Sequence, residues 1–199
     1  MKSLRVKNIK SKWLPKSSLE VAVGECIVIS GPSGVGKSLL LRAIADLDEH
    51  KGMLGIDEVS CREVSAMQWR KQVGLLPAES AWWGELVSDH MENVEAKQLE
   101  MIGLDEDALK WTIDRLSTGE KQRLAILRLL ANKPDFLLLD EPTANLDPKS
   151  VSKVEKLLLD YCHNTPAGLI WVSHDTEQAE RIADRRYYFD SEGLAEVVE

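Results

Sequence analysis

The sequence has too little of several things to be a secreted, bilayer-spanning or nucleic-acid-coating chain. Its three cysteines, Cys26, Cys61 and Cys162, are odd in number, far apart and form no C-x-x-C. They predict reduced thiols in a cytosolic chain, with Cys26 as core packing, and no disulfide framework. Positive charge is also short, since 25 Lys and Arg against 33 Asp and Glu leave a net charge of −8. That balance excludes the broad basic footprint of a non-specific nucleic-acid binder, and no nucleic-acid partner is expected. No apolar run approaches the roughly 18 residues that cross a bilayer, and no secretory segment follows the basic N-terminus, so a membrane role is expected only through a partner chain. Internal repeats and low-complexity stretches are missing as well. What remains, over 199 residues, is enough chain for one α/β core with a small insertion.

The most informative stretch is Gly31-Pro32-Ser33-Gly34-Val35-Gly36-Lys37-Ser38, which fits G-x-x-x-x-G-K-[ST]. A β-branched run, Cys26-Ile27-Val28-Ile29, precedes it, and Leu39, Leu40, Leu41, Ala43, Ile44, Ala45 and Leu47 continue an apolar stripe at helical spacing. The glycines therefore sit on a strand-to-helix turn, the setting of a P-loop. Gly34 and Gly36 let successive N–H groups point inward, and the following helix adds its positive dipole end to the same spot. Lys37 is expected to reach β/γ-phosphates and Ser38 to place its hydroxyl on Mg²⁺. Gly31, Ser33, Gly34, Val35, Gly36, Lys37, Ser38 and Leu39 are the candidate phosphate- and nucleotide-holding residues.

Three other strand ends carry chemistry. Phe136-Leu137-Leu138-Leu139 is wholly apolar and runs into Asp140-Glu141, as a strand buried on both faces does in a parallel sheet with a metal site at its carboxyl edge. Asp140 is expected to hold Mg²⁺ with Ser38, and Glu141 to take a proton from water. Leu169 to Ser173 reads as a last buried strand, with His174 at its end, where ligands bind in open α/β sheets. Val73 to Leu76 reads as a buried strand ended by Pro77. Helix starts are legible too. Ser117-x-x-Glu120 has capping-box spacing, a weak hint of an anion site, and Asp147-Pro148 reads as an N-cap followed by proline at the first helical position.

Around these, Leu4 to Ile9, Leu19 to Val23 and Met53 to Asp57 read as strands, Ser65 to Gln72 as a short helix, and Tyr187 to Phe189 as a short strand after a last exposed helix. The N-terminal stretch carries Lys2, Arg5, Lys7, Lys10, Lys12 and Lys16 with no acid among them, and these lysines are expected to guard an exposed sheet edge rather than to bind nucleic acid. From Ala78 to Arg115 the pattern becomes short amphipathic pieces with many acids, Glu92 and Glu95 among them, and no strand signal. Trp82-Trp83 within it either caps the insertion's own core or forms a partner-docking surface. Trp13 either stacks on an adenine ring or plugs a small sheet.

With the P-loop, Leu116-Ser117-Thr118-Gly119-Glu120, Leu138-Leu139-Asp140-Glu141-Pro142, Ala144-Asn145-Leu146-Asp147 and Ser173-His174-Asp175 in this order, the chain resembles an ABC-type ATPase, a free-standing nucleotide-binding subunit, over essentially its whole length. The resemblance implies a P-loop NTPase core with a mainly parallel sheet, an N-terminal antiparallel β subdomain and a helical insertion. It places the ATP-binding core in 1–77 and 116–199 and the insertion in 78–115. It implies ATP and Mg²⁺ as cofactors, Glu141 as general base, His174 as the switch residue on the γ-phosphate, and Trp13 as the adenine-stacking aromatic. Ser117 and Gly119 would bind the γ-phosphate held by a second copy in a head-to-tail sandwich, with Asp147 signalling across the dimer. A separate membrane-spanning permease would hold the subunit at the cytoplasmic face of the membrane. The short insertion looks most like subunits of the iron-exporter type. The sequence departs from the family pattern in its second motif, usually LSGGQ, and at Ala78, where a glutamine is usual. That second departure leaves a nucleotide-switched regulatory module as the alternative reading. A related DNA-repair ATPase would need a long coiled-coil insertion, and the sequence has none.

Overall fold

The computed structural model describes residues 2–91 and 94–198; Glu92 lies outside them. Two sheets organise the chain. The first, antiparallel, has the order β2-β1-β4-β5, from β1 (Ser3–Lys10), β2 (Ser17–Ala22), β4 (Lys51–Ile56) and β5 (Val59–Ser60). The second contains β3 (Cys26–Ser30), β6 (Val73–Leu76), β7 (Phe136–Asp140), β8 (Gly168–Val172), β9 (Arg185–Asp190) and β10 (Gly193–Glu196), in the order β10-β9-β3-β8-β7-β6. All its pairings are parallel except β9 with β10. The expected fold class, an α/β P-loop core with a mainly parallel sheet beside an antiparallel one, is the one observed.

The apolar strands dictate the layering. Side chains of β3, β7 and β8 alternate between two cores, as the period of two requires. Cys26, Val28, Leu137, Leu139, Leu169 and Trp171 face α4 (Thr118–Ala131) and α5 (Pro148–Asn164). Ile27, Ile29, Phe136, Leu138, Ile170 and Val172 face α1 (Lys37–Ile44) and the antiparallel sheet. Trp69 of α2 (Ala66–Gln72) is buried in this second core, and its indole N–H donates to the carbonyl of Ile44 at 2.9 Å, satisfying one of the free acceptors at the end of α1. The three thiols are buried and free, and burial raises all three pKa values, that of Cys162 to about 11.

Several local readings need correction. β1 lies between β2 and β4, so Lys7 and Lys10 are on an exposed face and not on a sheet edge. The pairing of β1 with both neighbours follows from the buried Leu4, Val6 and Ile9, the last brought back to the core face by a register shift at Asn8, φ 53. A further strand, β10, closes a hairpin on β9; its four residues are too few and too mixed to show a period. Among the described residues of 78–115 there is one α-helix, α3 (Ala96–Met101), with 3₁₀ turns at Val87–His90, Glu106–Lys110 and Ile113–Arg115 and a bridge between Leu86 and Thr112. The other three pieces are shorter still and cannot sustain cooperative α-helix, so the tighter turn prevails there. Val87, Leu99, Ile102 and Ala108 of this stretch join the core built on α4. Trp82 and Trp83 lie in irregular chain before the first of these turns, not on a helix. Among the described residues no helix is long and apolar enough to cross a membrane.

One glycine fixes how the last strands meet the P-loop. Gly31 has φ 147, and a Cβ there would stand 2.1 Å from the carbonyl oxygen of Phe189 on β9. Gly31→Ala is therefore expected to destabilise the fold by roughly 3 kcal/mol, read as a lowered urea midpoint at unchanged slope.

Candidate functional site

Three adjacent strands, β3, β8 and β7, end side by side, and the loops after them form the site. The P-loop follows β3. Gly34 and Gly36 take positive φ, 75 and 111, so the loop curls before α1. Lys37 is buried, and its ammonium folds back over the loop, donating to the carbonyls of Gly31 at 2.9 Å and Pro32 at 2.8 Å. Burial lowers its pKa, while Glu141 and Asp140 act against that shift. Ser33 and Gly34 are exposed, and Val35 packs in part against the second core.

Asp140 is the last residue of β7 and is buried. Burial raises its carboxyl, and neighbouring Glu141 adds to the rise; the Ser38 hydroxyl, hydrogen-bonded to it, and Lys37 oppose it. A carboxylate short of compensating charge beside a hydroxyl suits a hard divalent cation, so the donor set fits Mg²⁺. Glu141 follows with φ 49, a left-handed conformation that breaks the strand, and its N–H donates to Val172 of β8 at 3.1 Å. Its Oε1 lies 2.8 Å from Nε2 of His174; the Glu141 side chain is half-buried and that of His174 is exposed. Lys37, Ser38, Asp140, Glu141 and His174 are thus brought together.

Trp13 is 70% exposed and lines a cavity of about 610 Å³ with Leu39, Ala43 and His50, next to the P-loop helix. Lys12 Nζ stands 4.6 Å over its ring. An exposed indole beside a cavity at the P-loop fits a stacking platform better than a plug. Replacing Trp13 by alanine is expected to raise the ATP dissociation constant about tenfold, measured by calorimetry, the loss of one base-stacking partner.

Ser117 and Gly119 are elsewhere. Ser117 caps α4: its Oγ accepts from Glu120 N at 3.2 Å, and Glu120 Oε2 accepts from its N–H at 2.9 Å and its hydroxyl at 2.8 Å. Gly119 packs against the carbonyl of Asn145 and the side chain of Leu146, the loop leading to Asp147. Among the described residues no hydrogen bond or ion pair links Ser117 or Gly119 to the P-loop. Asp147 caps α5 as expected, accepting from Ser150 Oγ at 2.6 Å and from the amides of Lys149 and Ser150, bonds that lower its pKa.

Ala78 and Glu79, after β6, are exposed. The methyl side chain of Ala78 has no oxygen to offer a metal or a water. Ala78→Gln is therefore expected to raise turnover a few-fold and lower the Mg²⁺ concentration for half-maximal rate; an unchanged rate and Mg²⁺ dependence in both Ala78→Gln and Glu79→Ala would contradict this.

Sequence reasoning missed two clusters. Arg128 of α4 stacks over Trp82 at 4.5 Å and Trp83 at 5.2 Å and donates to Ala81 O at 3.1 Å, and His90 meets both indoles edge-on. Gln178, in α6 (Thr176–Ile182), is buried in a polar network with Thr143, Glu155 and Ser173. The Asp175 to Gln178 spacing signals a helix start and no more.

The family profile described as ABC transporter matches residues 14–144. The phosphate import ATP-binding protein PstB 2 of Natronomonas pharaonis is 35% identical over 86% of this chain and 69% of its own length. The glutamine transport ATP-binding protein GlnQ of Escherichia coli is 33% identical over 97% and 90%. The structure of a bacterial Atm1-family ABC exporter with ATP bound superposes with a TM-score of 0.86 at 23% identity, over 97% of this chain and 38% of that one.

Proposed function

The chain belongs to the ABC transporter family, and we infer that it is the ATP-binding and hydrolysing subunit that drives a separate membrane permease. The observation that carries the catalytic reading is the Glu141–His174 contact of 2.8 Å at the strand ends beside Lys37 and Asp140. It puts a proton acceptor and a hydrogen-bond donor next to a phosphate cradle.

In this reading Lys37 exchanges the carbonyls of Gly31 and Pro32 for β/γ-phosphate oxygens, while the loop amides of Gly34 and Gly36 turn toward the same charge. Glu141 orients the attacking water and accepts its proton. His174 holds the γ-phosphate from the other side, and Trp13 stacks on the base. Ser38 and Asp140 would hold Mg²⁺, which would neutralise charge on the phosphates. Ser117 and Gly119 complete the site of a second copy, head to tail. The exposed position of Ser117 at the N-terminus of α4, its bonds confined to its own cap, and the part-exposed Gly119 in the first turn support that role. Closing the pair on ATP and reopening it after hydrolysis moves residues 78–115 relative to the core.

The permease docks on the face around Trp83, which is 74% exposed. Beside it, Trp82 Nε1, His90 Nδ1 and Arg128 Nη1 are buried without a hydrogen-bond partner among the described residues. Buried polar atoms left unpaired are costly, and an incoming segment that supplies acceptors removes that cost. Held there, the subunit works at the cytoplasmic face of the membrane. Relatives named for phosphate and glutamine transport match over most of this chain, so the shared residues carry the ATPase while cargo choice lies in the permease.

The test is purification of the tagged chain from detergent-solubilised membranes. A multi-span membrane protein that stimulates ATP hydrolysis is the expected companion, and Trp83→Ala is expected to lose it. Recovery of only a soluble partner, with negligible turnover, would overturn the transport reading.

A further inference from the structure

The Glu141–His174 contact is made by two residues on separate loops, and each loop is anchored to the same side chain. Gln178 is 2% exposed. Its Nε2 donates to Thr143 Oγ1 at 3.0 Å and to Glu155 Oε1 at 2.7 Å. Its Oε1 accepts from Ser173 Oγ at 2.9 Å. Thr143 lies two residues after Glu141, and Ser173 immediately precedes His174. Asp175, on the other side of His174, donates its N–H to Ser173 Oγ at 3.0 Å and accepts from the Gln178 N–H at 3.0 Å. Glu155 belongs to α5, the helix capped by Asp147, and is held by Arg181 through Nη2 at 2.7 Å and Nε at 3.2 Å.

We propose that Gln178 is a positioning residue for ATP hydrolysis: its amide sets the spacing between the Glu141 loop and the His174 loop, and ties both to the helix that carries Asp147. The proposal rests on the ATPase reading and adds a residue to it. An apolar side chain could fill the same volume at similar stability, so a fully bonded buried amide there points to placement of the loops rather than to packing. The amide's two N–H donors are both used, one on a carboxylate. A carboxylate at 178 would instead face Glu155 Oε1 at a separation where two negative charges repel.

The consequence is specific. Gln178→Glu pushes the 178 side chain away from α5 and releases one or both loops, and a misplacement of about 1 Å at reacting groups costs on the order of a hundredfold in rate. Gln178→Glu combined with Glu155→Gln exchanges donor and acceptor. The carboxylate at 178 then accepts from Ser173 and Thr143, and the amide at 155 donates to it while its carbonyl still accepts from Arg181.

The experiment uses the full-length chain with saturating Mg-ATP, together with ATP affinity by calorimetry and melting temperature. Gln178→Glu is expected to lower kcat by about tenfold or more with ATP affinity within about twofold, and the double exchange to recover kcat to within about threefold of the parent. Thr143→Val, which removes one hydroxyl at constant volume, is expected to lower kcat several-fold with affinity and melting unchanged, and stands in if Gln178→Glu fails to fold. Parental kcat in Thr143→Val together with either parental kcat in Gln178→Glu or no recovery in the double exchange overturns the proposal. If the parent chain itself hydrolyses no ATP, alone or with its permease, it is the ATPase reading that fails.

Discussion

Replacing Glu141 with glutamine should lower ATP turnover by on the order of a thousandfold while ATP affinity stays within about twofold. The amide keeps the size of the side chain, and its carbonyl can still accept from His174 Nε2, now 2.8 Å from Oε1. It cannot take a proton from water. Both side chains are part-exposed, so folding should change little. Because binding survives and cleavage does not, the variant should accumulate as an ATP-bound dimer, visible by light scattering with and without nucleotide. A variant that stays monomeric in saturating ATP would contradict the head-to-tail site, and one with parental turnover would remove Glu141 as base.

Lys37→Met should weaken ATP binding by about a hundredfold, equivalent to ~2.7 kcal/mol, with turnover lost at physiological nucleotide concentration. The ammonium is held by two neutral carbonyls, Gly31 and Pro32. Its burial lowers its pKa, which means that the cation is poorly compensated there. Phosphate oxygens carry the negative charge that those carbonyls lack, so their bond to the ammonium is the stronger one. Methionine retains the stem and its packing, so the melting temperature without nucleotide should hold or rise. Calorimetry with ATP separates the two effects, and unchanged affinity would place the phosphates elsewhere.

Local sequence carried most of the site. The P-loop, Asp140-Glu141 and His174 each follow a buried apolar strand, and a strand end in a parallel sheet has one address, the carboxyl edge. Capping at Ser117 and Asp147 was equally legible because a cap is a contact between residues two or three apart. The lysines of β1 misled because charge on a strand shows that one face is wet but not which strands flank it. Trp82 and Trp83 could not be placed from spacing, since they lie in chain with no period and take their position from Arg128, 46 and 45 residues further along.

By itself, then, the order of residues determined the nucleotide cradle, the acid and histidine beside it, and the α/β class, because each depends on contacts within one turn or one strand. Only the tertiary structure decided that Glu141 touches His174, that Gln178 anchors both their loops, that Gly31 must be bare against Phe189, and that Arg128 supports an exposed indole. Those contacts join segments tens to more than a hundred residues apart, and their distances are set by how strands pair and helices pack, which no local pattern encodes.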